Sequence, residues 1–193
     1  MTRCLRPAVN GIAGATVLAV VGCAASPVPA PDIVTLLPYN GEWVLEATDR
    51  EPVGLHFASR DGYGFNAVAT RMFVAVMAVR AERFRLEVSD SVFRLSGDRP
   101  GFSAAIPLDG TPTEVLGEDG EVQQSLTLTW EAGTPVVRRR LPGVGWVSDR
   151  FELTSADTLV LTRTGGVRNY GGRVVEATQM RAFVYLRETS SQQ

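Results

Sequence analysis

The sequence predicts an all-β protein, a single antiparallel barrel or sandwich of about 8–10 strands. Three observations carry this. The apolar residues fall in short runs, several of which alternate with polar ones at the period of two that a half-buried strand requires. Nineteen glycines and eleven prolines are spread between those runs and punctuate them. No crossover helices are evident outside residues 67–82, and antiparallel hairpins need none.

The strands begin after Tyr39. Glu42 to Ala47 carries Trp43, Val44 and Leu45, and Val53, Leu55 and Phe57 then alternate with Gly54, His56 and Ala58. Asp61-Gly62 marks a turn. Phe65 to Val79 is ambiguous, because its alanines suit a helix while Phe73-Val74-Ala75-Val76 suits a buried strand. The clean alternation of the next run, Phe84, Leu86 and Val88 against Arg85 and Glu87, favours strands there too. Ser89-Asp90-Ser91 turns the chain into Val92 to Leu95, and Gly97 to Gly101 is a loop. Glu118-Asp119-Gly120 between Val115-Leu116 and Val122 is a hairpin signal. Ser125 to Trp130 places Leu126, Leu128 and Trp130 on one face, and Ala132-Gly133 connects it to Val136 to Leu141. Pro142-Gly143 ends that strand. Trp146-Val147, Phe151 to Leu153 and Thr158 to Thr162 follow. Gly165-Gly166 and Gly171-Gly172 bracket a glycine-rich loop, and Met180 to Leu186 is the last strand.

The N-terminus has a different character. Arg3 and Arg6 precede a mostly small, apolar stretch from Ala8 to Val21, which ends in Val20-Val21-Gly22-Cys23. Charged, apolar and small-residue regions in that order are the parts of a secretory signal. The stretch is short for a membrane span and is interrupted by Asn10, Gly11 and Gly14. An ordinary signal cut at Ala24 or Ala25 is the other alternative. Val20-Val21-Gly22-Cys23 resembles the lipobox of bacterial lipoproteins, a resemblance confined to the N-terminus. It implies cleavage before Cys23 and lipidation of that cysteine, so that membrane lipid is the first expected partner. One acyl chain binds a membrane only marginally, at about 0.8 kcal/mol per buried CH₂, whereas three chains hold durably. In many Gram-negative lipoproteins, Asp after the modified Cys favours the inner membrane. Ala24 stands here, so the resemblance points to the periplasmic face of the outer membrane. The expected organisation is a signal at 1–22, a tether rich in Pro and Ala at 23–38 and an antiparallel β domain at 39–193. Within the tether, Ile33, Val34, Leu36 and Leu37 are too apolar for a fully solvated spacer.

Charge and cysteine content narrow the function classes. Removing residues 1–22 takes away two arginines and no acid, which moves the formal charge from −2 to −4. That is not the basic excess of a nucleic-acid binder. Cys4 is lost with the signal, leaving Cys23 as the sole cysteine and no disulfide. His56 is the only histidine, without carboxylates at ligand spacing, and no Gly-x-Ser-x-Gly turn, phosphate loop or dinucleotide fingerprint occurs. The expectation is therefore a protein without metal, cofactor or catalytic role.

Two other constellations stand out. Gly41-Glu42-Trp43 at the start of the first strand resembles the Gly-x-Trp signature of lipocalins and other calycins. Ser148-Asp149-Arg150-Phe151 more weakly resembles their second motif, through Asp149. The resemblance implies that Trp43 plugs one end of a barrel and packs under an arginine from the last strand, the position of Arg187. It also implies a lipophilic ligand, with Trp43, Phe57, Trp130 and Trp146 partly lining its cavity. Arg138-Arg139-Arg140 is the one basic cluster, and on a strand Arg139 points away from its neighbours. Such a face suits an anionic partner, or pairs with acids such as Glu131 and Glu152. Two functions follow: a lipid-anchored carrier of a small lipophilic ligand, or a solid-cored module that binds another envelope protein.

Overall fold

The computed structural model describes residues 32–48, 67–99, 102–168, 174–176 and 181–188. Their strands are β1 (Gly41–Thr48), β2 (Arg83–Val88), β3 (Val92–Gly97), β4 (Ala104–Pro107), β5 (Thr113–Leu116), β6 (Val122–Glu131), β7 (Thr134–Leu141), β8 (Gly145–Ser155), β9 (Thr158–Arg168), β10 (Val174–Glu176) and β11 (Arg181–Arg187). All belong to one antiparallel sheet in the order β4-β3-β2-β1-β11-β9-β8-β7-β6-β5, with β10 attached to β9. The all-β expectation holds, and the choice between barrel and sandwich falls to a nearly closed barrel. Apart from the β1–β11 and β11–β9 pairs, sheet neighbours on this path are also chain neighbours. The edge strands β4 and β5 lie at the seam, where the Thr113 hydroxyl donates to the Ala105 carbonyl at 3.2 Å. Pro107 in β4 is compatible with an edge, where a missing backbone donor is tolerated.

Alternation explains the strands. In β2, Phe84, Leu86 and Val88 are buried while Arg83, Arg85 and Glu87 are exposed. Ala132 and Gly133, both with positive φ, make the β6–β7 hairpin, since a two-residue connection needs that backbone to match the strand twist. The described inward side chains pack together in the middle of the barrel. The Phe84 ring lies 4.7 Å from Tyr185 and 6.3 Å from Phe151, and Phe93 lies 5.8 Å from Phe151. Leu126, Leu128, Leu159, Leu161 and Phe183 complete the same core.

Two expectations need correction. The strand expected over Phe65 to Val79 is instead a helix, α2 (Ala67–Ala78). Phe73 and Met77, four residues apart, share one helical face; both are buried against Val144, Val147 and Val167. Gly165-Gly166 does not open a loop but lies inside β9, and at Gly165 the neighbours come too close for a side chain. A Cβ on Gly165 would lie 2.8 Å from both the Phe73 ring and the Trp146 carbonyl. Order also begins before residue 39. Asp32 caps a short helix, α1 (Ile33–Leu36), by accepting from the Val34 N–H at 3.1 Å, and a 3-10 turn covers Leu37–Tyr39. Leu36 is fully buried in the main core, whereas Val34 and Leu37 are exposed. The strand expected at Val53 to Phe57, His56 and Gly171-Gly172 lie outside the described residues.

Candidate functional site

One end of the barrel is closed by the start of β1 and the end of β11. Trp43 is fully buried, and its indole N–H donates to the Tyr39 carbonyl at 3.1 Å. The Arg187 guanidinium stands 4.4 Å from the centre of the Trp43 ring. That guanidinium also donates to the carbonyls of Pro38 at 2.6 Å and Ala156 at 2.9 Å, and to that of Asn40. It thereby ties the segment before β1 to the β8–β9 turn. Gly41 has φ +150°, and a Cβ there would fall on the Arg187 guanidinium.

The other end is covered by α2. Its anchor is Arg163, on β9 with no exposed surface. Arg163 meets Asp149 of β8 in a two-pronged pair of 2.5 Å and 3.0 Å. Its remaining nitrogen donates to the Val76 carbonyl at 3.0 Å and to the Val79 carbonyl just beyond the helix. A planar guanidinium suits this site because it satisfies a carboxylate and helix-end carbonyls at once. Phe102 and Phe183 flank it, with ring centres 5.6 Å and 5.5 Å away. Tyr185 is also buried here and donates to the Ala81 carbonyl at 3.2 Å; burial pushes its phenol far above the ordinary tyrosine range.

Arg163 lies among no motif and escapes sequence reasoning. A signal does exist: it continues the inward series Leu159, Leu161, Arg163, and Asp149 sits between Val147 and Phe151. Opposite charges on core-facing positions of adjacent strands mark a buried pair.

Among the described residues, the expected ligand tryptophans are not brought together. Trp43 plugs one end. Trp130 is buried in the core and borders a surface groove of about 190 Å³ beside Leu108 and Gly110. Trp146 is half-buried and lines a different groove. Phe57 and the lipidation candidate Cys23 lie outside the described residues. The basic cluster divides as the pleat demands. Arg139 is buried near Asp149, and burial lowers its pKa, opposed by Asp149. Arg138 and Arg140 are exposed. Neither takes Glu131 or Glu152 as a partner: Glu152 pairs with Arg150 at 3.2 Å, and Glu131 is directly opposite Thr134 across the hairpin.

The chain matches no protein-family model and no curated protein. What the protein does must therefore come from its own geometry. The outer groove beside Trp146 has a volume of about 360 Å³ and is lined by Arg138, Arg140, Leu141, Gly145, Trp146 and Arg168, among others. It brings together arginines from two strands that are not sheet neighbours, β7 and β9. Among the described residues no group of three His, Cys, Asp or Glu side chains is placed to hold a metal ion.

Proposed function

We propose that the chain is a lipid-anchored protein of the cell envelope whose β body is a non-catalytic binding module that works through its outer surface. The observation that carries the second half is that, among the described residues, the rings of Phe84, Phe93, Phe151 and Tyr185 stand in edge contact in the middle of the barrel. Trp43 with Arg187 covers one end, and α2, held by Arg163, covers the other. A carrier of small molecules needs a cavity of several hundred Å³ among such residues, about 300 Å³ or more. The anchor half is carried by Val20-Val21-Gly22-Cys23 behind its apolar run. Ala24 after the cysteine favours the outer membrane, with the body in the periplasm.

The second reading is a lipocalin-like carrier. The observation in its favour is Trp43 under Arg187, the plug that the calycin resemblance implies.

Two measurements test the proposal. Cells fed labelled palmitate should label the wild-type protein and leave Cys23→Ser unlabelled; an equally labelled variant would remove the anchor. Native mass spectrometry of the purified protein should show the chain without a bound lipophile. A one-to-one complex with a lipid or other apolar molecule, beyond the covalent anchor and unchanged in Arg138→Gln and Arg140→Gln, would decide for the carrier.

A further inference from the structure

The chain enters the body at the end closed by Trp43 and Arg187, and α1 with the 3-10 turn after it has two sides there. Ile33 packs against the core and Leu36 is buried in it. Val34 and Leu37, also three residues apart, stay 65% and 50% exposed. Residues at that spacing share a helix face. The pair is held in place: Asp32 caps the helix, Leu36 anchors it, and Arg187 bonds the Pro38 carbonyl just after Leu37. Leu186 precedes Arg187 and alternates outward against the buried Phe183 and Tyr185; it is 38% exposed. Among the described residues five large apolar side chains are exposed, and these three belong to one end. Met72, on α2, belongs to the other. Exposed apolar residues scattered singly are ordinary, but these stand together where the chain enters. The acids adjoining Arg187 are paired: Asp157 lies 3.6 Å from Arg187, and Glu188 lies 3.1 Å from Arg83.

We propose that this end of the barrel rests on the bilayer, with Val34 and Leu37 dipping into the headgroup boundary and α2 pointing away from the membrane. The assignment rests on the reading that Cys23 carries lipid, and it adds to that anchor a second contact and an orientation. The length of the link selects the occupant. Eight residues separate Cys23 from Asp32, so the patch lies within about 30 Å of the lipid even with that link fully extended. A tether so short makes a weak second contact effectively intramolecular. Apolar side chains of an element lying on a membrane sink about 5–10 Å into the interface, a depth that suits a single exposed turn. The contact fixes orientation: it stands the barrel end-on and leaves the outer wall clear of the headgroups. It is made with a bilayer surface and not with a single lipid, so it adds no bound lipophile to the purified chain.

The test places a polarity-sensitive fluorophore on Val34→Cys, Leu37→Cys and Met72→Cys in the full-length protein, reconstituted into vesicles of phosphatidylethanolamine and phosphatidylglycerol. With Cys23 acylated and Cys4 removed with the signal, the introduced cysteine is the sole free thiol. Emission from positions 34 and 37 should shift to the blue and be quenched by lipid carrying a doxyl group, while position 72 reports water. Added salt should leave these signals unchanged, because burial and not charge makes the contact. Positions 34 and 37 as wet as position 72, in protein that floats with the vesicles, would overturn the docking and leave the anchor standing. A blue shift without lipid quenching would also overturn it, because protein, such as a second copy, would then cover the patch. Equal quenching at position 72 would overturn the end-on orientation, and signals lost in salt would overturn the apolar contact. Wild-type protein that takes the label and fails to float would remove the anchor, and the docking with it.

Discussion

Asp149 and Arg163 occupy positions that alternation assigns to apolar side chains, and each is buried against the core. Ionic groups at such depth persist only when paired, and removing one partner strands the other. Asp149→Ala should therefore cost about 3–5 kcal/mol in urea unfolding; a loss below about 1 kcal/mol, the scale of exposed pairs, would show that Arg163 finds compensation elsewhere. Tyr185 makes a different claim. Burial raises its pKa above the ordinary 10.0, and Tyr39 is raised too, by burial and then by Glu152. Above about pH 10 the unfolded chain loses these protons while the folded chain keeps them, so stability is complete below that pH and falls above it. The slope approaches about 1.4 kcal/mol per pH unit for Tyr185, and Tyr39 acts in the same direction. Urea midpoints across the alkaline range check this, and a Tyr185→Phe variant should show a shallower fall. At Gly41 the left-handed φ and the Arg187 guanidinium both exclude a side chain. Gly41→Val should lower the melting temperature; an unchanged value would mean that Arg187 does not hold that end.

Among the described residues, the helix α2 is held by Phe73 and Met77 in a small satellite core and by the carbonyl bonds from Arg163. Gly165→Val would drive a branched side chain into the Phe73 ring. Hydrogen exchange should then lose protection over residues 71–78 while β1 and β11 keep theirs. Uniform loss across the barrel would show that α2 is integral to the sheet rather than a cover on it. This element also marks where sequence reasoning fails. The strands were legible because one buried face alternates with one exposed face, as in β2 and β6. Alternation carries no such information over residues 67–78, where Arg71 is the only charge and either period buries apolar side chains. Gly165-Gly166 misleads for a related reason: glycine in a strand can record close approach rather than a turn, and here both a neighbouring strand and α2 press on it.

At the scale of the molecule, a continuous antiparallel sheet closes on an aromatic interior and leaves its recognisable chemistry outside. The division of Arg138-Arg139-Arg140 into two outward residues and one inward was readable from the pleat alone. The groove was not, because Arg168 reaches it only through the pairing of β8 with both β7 and β9. Nor could aromatic content show that Trp43, Trp130 and Trp146 occupy three separate places. The central claim is that this body binds through its outer wall and not its interior. The most direct measurement is an NMR titration of the isotopically labelled protein with solubilised envelope lipid. The predicted result is that the interior side chains of Leu128, Leu161 and Phe183 do not shift, any change falling on outward-facing residues such as Arg138, Arg140 and Trp146. Saturating, one-to-one shifts at the interior side chains of Leu128, Leu161 and Phe183, with the Trp146 indole unmoved, would contradict it.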